Sequence, residues 1–524
     1  MILSAAMVLA ACNQDEKEER KISKRNFSIT KENAYNNLFM DSMSVADYIV
    51  KNEIPDSTAR RIISFYNTRN YEYAWFSSDG VSEQAMGFTS LLNFTDDTSA
   101  TLKKLRSTMH EYIGAENLNV TPSNKGILQT ELLLTENLIN YSKTNFKKGY
   151  VKRKEIEKFI PYVKENAIAQ GDSLLAELKR QKKDFADINK PYKLLAEQLK
   201  KYLQLEKDKN WMLIDGDLKS FKQGKNSPNI AVMKKKLFLM GDMNVEDSSG
   251  LYDDYLLNGI KSFQARNGFT PDGKLSAKLI KLMNITPKER VKQLLINMNR
   301  MRWLPFEPDG KLILVNTPAF TLRVTDGKKD VFEMPVVVGK DGHNTTIFSD
   351  MLTTIVFSPY WNIPPSIVKS EILPSIQNDP SYLERNNMEI TKEVNGLPEV
   401  RQLPGEKNSL GKVKFLFPNS FNIYFHDTPA KALFDKDVRA YSHGCIRLGE
   451  PAKLAAYLLK DEKGWDDAKI NAAMNKGEEK FVKLSEPVPV FITYYTAWVD
   501  DAGKLQFRED IYGHDAEVTK KMFL

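Results

Sequence analysis

Ser442-His443-Gly444-Cys445-Ile446-Arg447 gathers more chemistry than any other six residues of the chain. A thiol is a good nucleophile only as thiolate, so it needs a basic or cationic neighbour and partial exposure. His443 stands two positions before Cys445. His426 ends the run Ile423-Tyr424-Phe425, nineteen positions before the cysteine, on what should be an adjacent strand. Gly444 lets a backbone approach closely with its N–H uncovered, so the amides around Gly444 and Cys445 can face an oxyanion. Arg447 supplies a fixed charge suited to a carboxylate. A cysteine that merely fills a core needs none of these neighbours.

The text around this motif is β-rich. Leu312-Ile313-Leu314-Val315, Thr321-Leu322-Arg323-Val324, Met334 to Val338, Thr353 to Phe357, Phe415 to Phe417 and Ile423-Tyr424-Phe425 are short β-branched or aromatic runs punctuated by Gly and Pro. They predict a mainly antiparallel β domain, with helices at Pro451 to Lys460 and Asp466 to Met474 and a last strand at Val488 to Thr496. The segment 366–412 is too long for a hairpin loop, and such insertions carry function or a subdomain. Ser366-Ile367-Val368-Lys369 has the S-x-x-K spacing of a serine nucleophile, but its companions S-D-N and K-T-G are absent from the chain.

Upstream the periodicity turns helical. Val232, Leu237 and Leu239 suit one helix, Leu256, Leu257, Ile260 and Phe263 a second, and Leu275, Leu279 and Leu282 a third, giving a small unit at 226–285. Residues 41–225 are mostly helical, with Leu194, Leu195, Leu199, Tyr202 and Leu203 following Pro191 at a first helical turn. Tyr71-Glu72-Tyr73-Ala74-Trp75-Phe76 reads as core or docking residues. The domains expected are therefore a leader at 1–12, a polar tether at 13–40, a helical scaffold at 41–225, the three-helix unit at 226–285, a connecting helix at 286–310, a catalytic β domain at 311–500 and a tail at 501–524. The fold class is multidomain α+β.

Composition limits the alternatives. A net charge of +7 is spread over 75 basic and 68 acidic residues with no arginine-rich patch, so charge does not point to nucleic acid. The chain has two cysteines, which excludes a disulfide framework, and its five histidines form no H-E-x-x-H, so no metal or other cofactor is expected. Ile2 to Ala11 is apolar but too short to span a bilayer. Its ending, Leu9-Ala10-Ala11-Cys12, resembles a bacterial lipobox, which implies lipidation of Cys12 and anchoring of a lipoprotein in the cell envelope, facing the periplasm or held in the outer membrane.

The spacing from His426 to Ser442-His443-Gly444-Cys445-Ile446-Arg447 resembles the signature of the YkuD-type L,D-transpeptidase catalytic domain. Val338-Gly339-Lys340, Tyr360-Trp361-Asn362-Ile363-Pro364-Pro365, Gly405 to Gly411 and His426-Asp427-Thr428-Pro429 carry the likeness further. Phe263-Gln264, Asn267-Gly268-Phe269 and Asp272-Gly273 are similar to a peptidoglycan-binding domain, and the whole order resembles the large YcbB-type subgroup. The resemblance implies Cys445 as nucleophile, His426 as base, and Asp427 or its carbonyl as the group orienting that imidazole. It implies an oxyanion hole framed by His443, Gly444 and Cys445, and carboxylate contacts from Arg447 and Arg439. Trp361, Tyr424 and Ser442 are expected to line the cleft, under a capping insertion at 366–412. The implied activity is 3→3 cross-linking of peptidoglycan tetrapeptide stems through a thioester, with D-alanine released and carbapenems acylating the same sulfur. An L,D-carboxypeptidase using the same cysteine, or a non-catalytic wall-binding protein, remains open at this level. The oligomeric state is not set by sequence, and a monomer is compatible with it.

Overall fold

The computed structural model describes residues 21–524 apart from 96, 116–117, 146–150, 181–184, 188, 217, 305–309 and 328. The expected lipidation site at Cys12 lies outside the described residues. The chain divides into two compact units, Met1–Phe306 with Tyr495–Leu524, and Glu307–Tyr494.

The first unit is helical. Its core is built from α1 (Asp56–Thr68), α2 (Lys125–Thr144) and α3 (Lys190–Lys207), with the aromatic run at 71–76 packed among them. Asn189 caps α3 by accepting from the Tyr192 amide at 3.0 Å, and Pro191 sits in the first turn where no N–H is needed. Tyr192, Leu195, Leu199 and Leu203 then fall on one buried face. Trp75 is fully buried, stacked on Phe88 with ring centroids 5.2 Å apart. The two amides of Ala74 and Trp75 are held by the Glu131 carboxylate at 2.7 and 2.9 Å, so the run serves as core.

Three further helices, α4 (Pro228–Met240), α5 (Asp254–Arg266) and α6 (Ala277–Met283), enclose a separate core. On α4 the buried face is Ile230, Met233 and Leu237, whereas the expected Val232 and Leu239 are only partly covered. The motif glutamine knits the unit: Gln264 donates to Asp272 at 2.8 Å and accepts from the Gly273 amide at 2.7 Å.

The expected connecting helix is present, and one expected boundary, that of the tail, differs. The connecting helix, α7 (Pro287–Met301), is a core helix whose Val291, Leu294 and Leu295 are buried. Residues 501–524 are not a tail. A hairpin (Ala497–Val499 with Leu505–Phe507) and the helix His514–Met522 complete the same core. Polar contacts decide this, and spacing does not display them. Asn297 bonds both the amide and the hydroxyl of Thr496, and buried Arg300 bridges Glu83 and Asp515.

The second unit is a sheet of nine strands: β1 (Lys311–Asn316), β2 (Thr321–Asp326), β3 (Lys329–Gly339), β4 (Phe348–Phe357), β5 (Val413–Leu416), β6 (Phe425–His426), β7 (Ala440–Ser442), β8 (Ile446–Leu448) and β9 (Lys480–Thr493). Their order is β7-β3-β8-β6-β5-β4-β9-β1-β2, and β2 pairs back onto β3. The circuit closes because β3 is long: its first half pairs β2, and Val336 and Val337 pair β8. Most pairings are antiparallel as expected, but β6/β8, β7/β3 and β9/β1 are parallel. The last strand begins earlier than its apolar run, because Lys480–Lys483 also pair with β4 before an irregularity at Lys483/Val488. The insertion is a subdomain. Strands Trp361–Asn362, Leu397–Gln402 and Met388–Val394 form a small sheet over its own core of Ile363, Ile367, Val368, Ile372 and Val400.

Replacing Arg300 by Met strands the Glu83 and Asp515 carboxylates without their shared cation. Breaking a buried pair from one side costs about 3–5 kcal/mol, so thermal or urea unfolding of the helical unit should shift by that amount. An unchanged midpoint would show that the bridge contributes nothing.

Candidate active site

The site is made by strand register. β6 runs parallel to β8 with Phe425 opposite Ile446 and His426 opposite Arg447, and β5 runs antiparallel to β6 with Lys414 opposite His426. Opposed residues on neighbouring strands share a face. Lys414, His426 and Arg447 therefore form one row, while Phe415, Phe425 and Ile446 are fully buried on the other face. The Ile446 amide donates to the Tyr424 carbonyl at 3.2 Å, which carries the register one step further and sets Tyr424 beside Cys445. The thiol and the His426 ring are thus diagonal neighbours on one face, at a backbone spacing of about 7–8 Å.

Cys445 sits at the end of a tight turn. Gly444 has φ +106°, a conformation that suits glycine. Ser442 Oγ accepts from the Gly444 amide at 3.2 Å and donates to the Cys445 carbonyl at 2.5 Å, so the serine ties the turn to itself. Thr345, which sequence reading missed, donates to the Gly444 carbonyl and accepts from the Gly339 amide, each at 2.9 Å. Gly339 must be glycine, since a Cβ there would lie 2.0 Å from the His343 carbonyl oxygen. With the Gly444 amide taken by Ser442, the amides of His443 and Cys445 find no acceptor among the described residues. Such open amides can donate to a ligand oxygen.

The electrostatics keep thiol and imidazole neutral at rest. His426 Nδ1 lies 2.5 Å from the Asp427 carbonyl oxygen. A carbonyl can only accept, so Nδ1 carries the hydrogen and Nε2 keeps its lone pair. Burial, then the Arg447 charge, pushes the His426 imidazolium down to about 3. Burial pushes the Cys445 thiol up to about 11, with hydrogen bonds to Tyr424 and the Arg447 charge opposing it. The half-buried sulfur lies 3.5 Å from the Asn422 carbonyl oxygen, and no hydrogen bond joins it to the imidazole. Arg447 has no hydrogen-bond or ion-pair partner among the described residues, and its Nε is buried. An unpaired, half-buried guanidinium is costly.

The other expected residues divide. Trp361 lies beside the Tyr424 hydroxyl, which itself faces Cys445. His443 Nε2 lies 3.2 Å from Glu371 of the insertion, and its ring is 5.0 Å from that of His343. The Asp427 carboxylate does not orient His426: it accepts from the Lys412 amide at 2.9 Å and from Lys431 at 2.6 Å, and the orienting group is the Asp427 carbonyl. Arg439 donates to the carbonyls of Lys436 and Phe320 at 2.8 and 3.2 Å, while its buried Nε has no partner among the described residues. Sequence reading also missed Lys414, Asn422 and Glu371. Lys414 could have been found from strand parity with His426, whereas the other two are placed by long-range folding.

Because a backbone carbonyl orients the ring, Asp427→Asn should leave alkylation of Cys445 by iodoacetamide within about threefold of native. His426→Ala should remove the rate advantage of a positioned base, on the order of 100-fold or more, in any reaction that the thiol performs on a substrate. A large loss with Asp427→Asn would return the orienting role to the carboxylate.

Residues 310–478 match the family model described as YkuD, the L,D-transpeptidase catalytic domain, and residues 60–208 match a scaffold-domain model. A Haemophilus influenzae protein named as a provisional L,D-transpeptidase is 32% identical over 251 residues, 45% of this chain and 49% of that protein. The chain thus spans about half the length of the curated relative it matches. Among solved structures, an L,D-transpeptidase (Yku) from Stackebrandtia nassauensis is 15% identical, with 54% of this chain and 96% of that one covered at a TM-score of 0.23. L,D-transpeptidase 3 from Mycobacterium tuberculosis is 15% identical, with 35% and 61% covered at a TM-score of 0.20. Scores this low carry no weight. The family matches, together with the β-sheet unit that bears Cys445, lead to one assignment: residues 310–478 belong to the YkuD family of L,D-transpeptidase catalytic domains, on a chain that also holds a scaffold domain.

Proposed function

We propose that the chain is a peptidoglycan L,D-transpeptidase that forms 3→3 cross-links through a Cys445 thioester. The observation that carries this is the single face on which a thiol, a neutral imidazole with a free Nε2 and an unpaired guanidinium stand together. In the donor tetrapeptide stem, the bond attacked joins the third residue, a diamino acid, to a terminal D-alanine. The D-alanine carboxylate docks on Arg447. Pairing that guanidinium removes part of the repulsion that depresses His426, so substrate binding strengthens the base when it is needed. The sulfur gives its proton to Nε2 and attacks the carbonyl, and the amides of His443 and Cys445 receive the oxyanion. The same proton passes to the departing D-alanine amine, leaving the thioester. A side-chain amine from a second stem resolves it.

The remaining parts fit an envelope enzyme. The unit at 226–285 is proposed to bind peptidoglycan, and lipidation of Cys12 is proposed to anchor the chain on the periplasmic or outer-membrane side. Carbapenems are proposed to acylate Cys445. If water resolved the acyl-enzyme, the chain would be an L,D-carboxypeptidase.

Two measurements test the reading. Incubated with tetrapeptide-stem muropeptides, the native chain should release D-alanine and yield dimers, and Cys445→Ala should do neither while still binding sacculi. Tripeptide monomers alone would assign the carboxypeptidase, and release by the alanine variant would remove Cys445 from the mechanism. The second is a pH profile without substrate. A thiol raised to about 11 is ionised at pH 7 in only about one molecule in ten thousand. Iodoacetamide labelling should therefore climb roughly tenfold per pH unit from 7 to 10, and a plateau by pH 8 would contradict the buried neutral thiol.

A further inference from the structure

The cleft carries one acidic contact that the first half of the reaction does not use. Glu371 lies in the π-helical turn Val368–Ile372 of the insertion, whose Val368 and Ile372 are anchored in the insertion's own core. That anchoring aims the Glu371 carboxylate outward, 3.2 Å from His443 Nε2, with both side chains still open to solvent at 52% and 34%. His443 is two residues from the nucleophile, no more than about 7 Å along the backbone. The other charged or titratable groups around His443 are Lys340, His343 and Arg447, so Glu371 is the carboxylate facing it. Burial, opposed by the Glu371 charge and aided by Lys340, His343 and Arg447, holds the His443 imidazole below its ordinary value. With Nε2–H facing the carboxylate, the lone pair it has to offer is on Nδ1.

Resolution of the thioester poses a specific problem. The side-chain amine of a diamino acid is an ammonium at neutral pH and cannot attack until it loses a proton. A carboxylate attracts that ammonium, and a neutral imidazole beside it can accept the proton. We infer that Glu371 and His443 form the acceptor-amine site, Glu371 holding the ammonium of the incoming stem and His443 taking its proton. The inference rests on the transpeptidase reading above and names the group that selects an amine over water.

The step balances as follows. The ammonium gives one proton to His443, which later passes it to solvent. The nitrogen lone pair forms the new C–N bond at the thioester carbon, and the C–S bond breaks with its electron pair on sulfur. The attacking nitrogen then loses a second proton, which returns through His426 to the thiolate. Products are the amide, the free thiol and one released proton. Charge divides across the cleft accordingly, with the donor's carboxylate at Arg447 and the acceptor's cation at Glu371.

The test uses the full chain with disaccharide-tetrapeptide muropeptide as both donor and acceptor, comparing native protein, Glu371→Gln and Glu371→Asp. For Glu371→Gln, carbapenem adduct formation and D-alanine release should stay within about twofold of native, while dimer yield falls about tenfold and tripeptide monomer rises, the factor expected of one charge-assisted contact. Glu371→Asp should recover part of the dimer yield. A native dimer-to-tripeptide ratio in Glu371→Gln overturns the inference. So does a parallel loss of adduct and dimers, which would make Glu371 a support for the insertion. If the native chain gives neither adduct nor D-alanine, the transpeptidase reading itself falls and takes this site with it.

Discussion

The parallel pairing of β6 with β8 is the constraint on which the site depends. With Phe425 opposite Ile446, every reactive group follows: Tyr424 beside Cys445, and His426 beside Arg447. A slip of one residue would turn His426 into the core and bring Phe425 to the cleft. The pairing is protected because Phe415, Phe425 and Ile446 are wholly buried on the opposite face, so the apolar side of the sheet specifies the register for the polar side.

That register also sets the charges. His426 stands between Lys414 and Arg447, and Lys414 is partly neutralised by Glu479 at 3.5 Å and by the Tyr360 carbonyl. Arg447 has no such relief. At rest the proton stays on sulfur and the imidazole is neutral. A half-buried cysteine kept as the thiol is also less prone to adventitious oxidation and alkylation, which favour the thiolate.

Around this face the protein spends its small residues on closeness. Gly339 admits the His343 carbonyl, Gly411 admits the Asp427 side chain, and Gly444 makes the turn before Cys445. Thr345 and Ser442 then pin the turn from either side. The insertion adds what the sheet lacks. Trp361 reaches Tyr424 from its small sheet, and Glu371 reaches His443 from its π-helical turn.

Much of this was legible in one dimension. A nucleophile with its histidines, glycine and arginine is a local signal, because a turn before a strand places near neighbours together whatever the rest of the chain does. The helical and β halves were legible from periodicity, since a period of 3.6 or 2 reports which face is buried. Individual polar contacts were not legible. The Asp427 carboxylate is taken by Lys412 and Lys431, which leaves its carbonyl to His426, and Arg439 reaches the Phe320 carbonyl 119 residues away. The same holds for the last thirty residues, drawn into the helical core by Asn297 and Arg300. The sequence by itself determined which groups could react and which segments could form elements, because those follow from residue chemistry and short-range spacing. Only the tertiary structure decided which hydrogen bond each polar group makes, because burial strongly favours pairing of donors and acceptors and only the closed fold brings distant partners within reach.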